Sequence, residues 1–101
     1  MRVNCEDAQG MGQQHPDTFE VASIDTLREV VQPGVYAKIC ILDGAFQGER
    51  IWTEVTEVDG VKVKATLAND PFGFEGKHGD PVEYQLRHIY NVAAKDGEEL
   101  A

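Results

Sequence analysis

The sequence predicts a mainly β, α+β domain: a small antiparallel, SH3-like partial barrel with one short N-terminal helix. Three observations predict it. Asp59-Gly60 stands between two alternating runs, and Asp-Gly is a preferred pair for a two-residue hairpin turn. Further alternating runs cover residues 35–42 and 82–92. Ile24, Leu27, Val30 and Val31 form a single apolar stripe at helical spacing. Short, twisted antiparallel strands avoid exposed edges by curling toward closure, which favours the partial barrel over a flat sheet with a helix on one face.

The chain of 101 residues is the size of one domain. Residues 1–16 are polar and hold Gly10, Gly12 and Pro16, which reads as a flexible leader without periodicity. Thr18-Phe19-Glu20-Val21 alternates and suggests a short edge strand. Ser23 has the chemistry of a helix N-cap, and Asp25 suits the positive end of the helix dipole. Pro33-Gly34 ends that helix.

In the run 35–42, Val35, Ala37, Ile39 and Ile41 share one face. The next two runs, 49–58 and 61–68, form the hairpin. A loop at 69–81 then leads to a last run over 82–92, in which Val82, Tyr84, Leu86, His88 and Tyr90 share a face. The globular part is placed at 17–93, with a flexible acidic tail over 94–101.

Turning at Asp59-Gly60 places Val58 opposite Val61, Trp52 opposite Leu67 and Arg50 opposite Asn69. Glu57, Lys62 and Lys64 resist burial, so the core side is expected to hold Trp52, Val58, Val61, Val63 and Leu67. That register leaves Glu54 inside an apolar face, where an unpaired carboxylate costs several kcal/mol. A bulge or seam that brings Glu54 to solvent is the favoured resolution, ahead of an ion pair with Lys38 or Arg50 and a functional carboxyl.

Composition narrows the function classes. The net charge is −9, mostly in the flanks, while residues 33–93 hold six basic and nine acidic side chains. Phosphate backbones demand a basic footprint, so nucleic-acid binding is not expected. No apolar run reaches membrane-spanning length and no secretory leader is recognisable, which points to the cytoplasm without a membrane partner. Cys5 and Cys40 read as two free thiols. His78 has no second ligand at metal spacing, and His88 on an apolar face reads as a hydrogen-bonded core histidine. No metal, cofactor or catalytic constellation is expected. The glycine-rich loop 69–81 carries two aromatics and is the main site candidate. Together with the hairpin, it nominates Trp52, Glu54, Asn69, Asp70, Phe72 and Phe74 as binding residues.

The run Gly48-Glu49-Arg50-Ile51-Trp52-Thr53-Glu54-Val55-Thr56-Glu57-Val58-Asp59-Gly60 resembles the YegJ-like bacterial domains of unknown function (domain of unknown function 2314). Leu67-Ala68-Asn69-Asp70-Pro71 and His78-Gly79-Asp80-Pro81-Val82 extend the resemblance over about residues 33–92. Thr53, where that family tends to have Val, and Pro81 depart from it. The resemblance implies a small bacterial domain without an assigned activity or cofactor, and draws attention to Trp52, Glu54, Asn69 and Asp70. The leading expectation is a non-enzymatic module binding a protein or small ligand. The alternatives are a small enzyme using a Glu54/Asp70 carboxylate pair and an acidic, immunity-type partner of a basic protein.

Overall fold

The computed structural model describes residues 3–18, 20–42, 48–69 and 76–101. They form an α+β domain with a five-stranded antiparallel sheet and two short helices. The strands are β1 (Tyr36–Ile41), β2 (Glu49–Asp59), β3 (Lys62–Leu67), β4 (Pro81–Gln85) and β5 (Ile89–Ala93), in the spatial order β4-β3-β2-β1-β5. Helix α1 covers Ala8–Gln14 and α2 covers Ile24–Val30. Among the described residues no ladder joins β4 to β5, so the sheet is open.

The hairpin differs from its expected register in two places. The turn residues are Gly60 and Val61, with Asp59 opposite Lys62 and Val58 opposite Val63. Gly60 has φ 61°, whereas Val61 does not adopt positive φ, the signature of a Gly-first turn. This two-residue slip keeps Val58 and Val63 on the expected core side and moves Val61 into the turn. Between Val55 and Glu57 the register then shifts by one, so Thr56 is an extra residue. Its hydroxyl donates to the Lys64 carbonyl at 3.0 Å.

That bulge reverses the faces of β2. Ile51, Thr53 and Val55 are buried against Val63, Ala65 and Leu67. Trp52 and Glu54 therefore lie on the outer face, and the expected place of Trp52 in the core is corrected. Val61 is likewise outside the core, 41 % exposed at the turn. Glu54 needs no buried partner because a one-residue shift turns an entire strand face over.

The last run is two strands rather than one. A 3-10 turn at Leu86–His88 breaks it, raising the expected four strands to five. Leu86, Ile89 and Val92 enter the core, whereas Tyr90 faces the other side of the sheet with Cys40 and Ala8. The backbone N–H of Gln85 donates to His88 Nδ1 at 3.0 Å, so this half-buried imidazole helps hold the corner.

Both flanks carry more structure than their composition suggests. The leader contains α1, whose Ala8 is fully buried, and Cys5 bridges Ile41 of β1. Of the expected edge strand, Thr18, Glu20 and Val21 are described and none is in a strand; Val21 packs beside Cys40 and Tyr90. Ser23 caps α2 by accepting from Thr26 N, and Leu27 and Val31 seal one end of the core. The acidic tail turns at Gly97 and returns along β5, with Val92 N donating to the Ala101 carbonyl at 2.9 Å. Cys5 and Cys40 are not joined in a disulfide.

Under the sheet, Thr53 joins three strands. Its hydroxyl donates to the Ala37 carbonyl at 2.9 Å and accepts from the Tyr84 hydroxyl at 2.6 Å. Because β3 lies between β4 and β2, the sheet must curl for Tyr84 to reach Thr53. Thr53→Val leaves the buried Tyr84 hydroxyl without its acceptor and should cost about 1–3 kcal/mol. Tyr84→Phe leaves Thr53 bonded to Ala37 and should cost less than about 1 kcal/mol. Urea unfolding of both variants tests the ordering; equal costs would remove Thr53 from this role.

Candidate functional site

The bulge makes the outer face of the sheet a mixed aromatic and charged surface. Tyr36 lies opposite Glu54, Lys38 opposite Trp52 and Cys40 opposite Arg50 on the β1–β2 ladder. Side chains two apart on a strand share a face, so Trp52 and Glu54 stand side by side. The Lys38 ammonium lies over the Trp52 ring, 5.4 Å from its centroid, and the Arg50 guanidinium over Tyr90 at 5.6 Å. Such stacking turns the negative faces of the rings toward cations.

A groove of about 400 Å³ opens along this face. Tyr36, Trp52 and Glu54 form part of it, Thr66 and Ala68 of the β3 side another part, and the tail turn with Lys95 its opposite wall. His78 also borders the groove. Lys95 Nζ is 3.5 Å from the Glu54 carboxylate, and both side chains are substantially exposed to solvent. The partner of Glu54 is therefore Lys95 from the tail, not the Lys38 or Arg50 suggested by the hairpin. Exposed pairs of this kind contribute roughly 0–1 kcal/mol.

Among the nominated residues, Trp52 and Glu54 line the groove and Asn69 adjoins it. Asn69 Oδ1 accepts from the Trp52 backbone N–H at 3.2 Å, closing the β2 edge where the β3 ladder ends. Asp70, Phe72 and Phe74 lie outside the described residues. Tyr36 and Lys95 were missed. Tyr36 was visible as the outward alternate of Val35 and Ala37, but nothing in the sequence brings the tail across to Glu54.

A second polar cluster lies where α1 meets the sheet. The Tyr90 hydroxyl donates to Glu6, and burial foremost, with Glu6 adding to it, pushes the Tyr90 pKa well up. Burial also raises the Cys40 thiol, aided by Glu6 and opposed by Arg50. The Glu6–Tyr90 bond and the packing of Ala8 on Cys40 and Tyr90 tie the leader to the sheet. Among the described residues no three His, Cys, Asp or Glu side chains are grouped to hold a metal ion, and no helix is long and apolar enough to cross a membrane.

No family model matches the chain, and no curated protein or solved structure is detectably similar to it.

Two predictions follow from these groups. Burial, reinforced by Arg87 and opposed by Asp7, lowers the His88 pKa from its ordinary 6.5. The unfolded chain then takes up the proton first, so His88 contributes stability above pH 6.5 that is lost as pH falls toward its folded pKa. Urea midpoints should decline over that interval, and His88→Asn, which keeps an acceptor without titrating, should remove this share of the decline. Glu54→Gln should change stability by less than about 1 kcal/mol. A loss of several kcal/mol in the same unfolding assay would assign Glu54 a buried role.

Proposed function

We propose that the chain is a non-enzymatic binding module that takes a peptide or small ligand in the Trp52–Glu54 groove. The observation that carries this reading is the pairing of two aromatic walls, Tyr36 and Trp52, with a carboxylate inside one concave surface. Binding sites combine apolar area with a few placed polar groups, and this groove has both. Backbone hydrogen bonds and a curled sheet supply the rigid support that a half-buried aromatic pair needs to bind without a large ordering cost.

The SH3-like partial barrel belongs to the same proposal. The strand order β4-β3-β2-β1-β5, the 3-10 turn between β4 and β5 and the Tyr84–Thr53 bond across the concave side all support it. Membership of the YegJ-like family, proposed from the Trp52-Thr53-Glu54-Val55-Thr56 string, and with it a bacterial, cytoplasmic setting, is part of the same proposal. The acid–base alternative gains no support from Glu54, whose carboxylate sits on the solvent side of the sheet beside Lys95.

Trp52 is the single tryptophan of the chain and reports on the groove directly. Acrylamide should quench its fluorescence only in part, because the indole is half-buried. In a fragment screen by NMR, shifts should concentrate at Tyr36, Trp52, Thr66, Ala68 and Lys95. Trp52→Ala should abolish them while Thr66→Ser leaves them in place. Fragments that cluster elsewhere, or a fully shielded indole, would remove the groove as the site.

A further inference from the structure

The groove already holds a cation of the protein's own. Lys95, at the start of the tail turn, reaches across to Glu54 at 3.5 Å. The turn that carries it is held by Ala94 N donating to the Glu98 carbonyl at 2.8 Å and Gly97 N to the Ala94 carbonyl at 2.9 Å. Asp96 tightens it by accepting from Glu98 N at 3.0 Å. A second ammonium, that of Lys38, lies over Trp52 at 5.4 Å. The chain thus satisfies the Glu54 carboxylate and the Trp52 ring each with a lysine.

We propose that this groove recognises a basic side chain of a peptide partner, an alkylammonium or guanidinium, which replaces Lys95 at Glu54. The inference rests on the groove being the binding site and specifies the chemistry of its occupant. Tyr36 and Glu54 are direct cross-strand partners, and Trp52 is next to Glu54 on the same face, so two rings and one carboxylate meet at one place. Rings attract cations through their negative faces, and the carboxylate fixes where the charge settles. The long apolar stem of Lys or Arg suits a groove bordered by Ala68, Ala93 and Ala94. A net charge of −9 favours encounter with a basic partner over an acidic one.

The Lys95 contact is suited to being displaced. Both side chains of the pair are exposed, so the internal cation is held weakly. The tail turn keeps its own backbone hydrogen bonds whether or not Lys95 touches Glu54, so exchange needs only a rotamer change. Lys95 acts as an internal competitor that sets a threshold for the incoming cation.

The test uses three blocked tripeptides, Gly-Lys-Gly, Gly-Arg-Gly and Gly-Gln-Gly, titrated into the full chain at low salt and followed by NMR at the Trp52 indole and the Glu54 side chain. The two basic peptides should produce saturable shifts there, and the glutamine peptide should not. Lys95→Ala should tighten binding of the basic peptides about two- to fivefold by removing the competitor. Glu54→Gln should weaken it about two- to fivefold, with the fold checked by the unchanged dispersion of the remaining spectrum. Equal binding of the glutamine peptide would overturn the cation proposal while leaving the groove as a site. Absence of saturable shifts even in Lys95→Ala would overturn it as well, and the fragment screen would then decide the groove separately. Tightening that Lys95→Ala fails to produce would remove the competitor role.

Discussion

The extra residue at Thr56 is the constraint on which the outer surface depends. Without it, β2 would run in strict alternation and carry Trp52 and Glu54 inward with Val58. Inserting one residue lets the turn-proximal half keep Val58 inside while the other half puts Ile51, Thr53 and Val55 inside. Both halves of a long strand then serve one core, and the displaced aromatic and carboxylate become neighbours on the other face. The core and the groove are two results of a single backbone irregularity.

Thr53 shows how closely the two faces are tied. It is fully buried yet polar, and it lies between Trp52 and Glu54 in the chain. Its hydroxyl fastens β2 to Ala37 of β1 and to Tyr84 of β4. Buried hydroxyls are tolerable only when their bonds are made, so this network specifies one curvature of the sheet. The two residues flanking Thr53 stand on the opposite, convex face, where the tail turn with Lys95 supplies the facing wall of the groove.

Much of the fold was legible where local chemistry and tertiary packing agree. Ser23 caps α2 as its side chain suggests, and Ala37, Ile39 and Ile41 share the buried face of β1. The bulge was legible only as a conflict: Ile51 and Val55 demand one parity, Val58 the other, and Glu54 is the residue left over. The corner at Leu86–His88 was hidden because Val82, Tyr84 and Leu86 continue a strand pattern up to the break. Afterwards the core positions are Leu86, Ile89 and Val92, spaced by three; the 3-10 turn accommodates the first interval and a register shift between β1 and β5 the second, with Tyr90 buried on the other face. Helix α1 left no signal at all, since Gly10 and Gly12 are poor helix formers. It rests on the burial of Ala8 against Cys40 and Tyr90. The tail was opaque for the same reason, its turn at Gly97 being set by pairing with β5. Half of the candidate site was therefore readable from the hairpin, and the half contributed by Lys95 was not.

The strand order also governs how the protein emerges during synthesis. β1 is flanked by β2, made shortly afterwards, and by β5, made about fifty residues later. Until β5 arrives, β1 offers unpaired N–H and C=O groups over residues 36–39, short of Ile41, which Cys5 of the leader bridges, and these are a template for any other extended chain. The β1–β2–β3 meander can assemble early, but it stays adhesive until the final strand docks. A slow ribosome late in the message would lengthen that interval, so the cell has reason to hurry the last quarter of this chain or to shield its beginning.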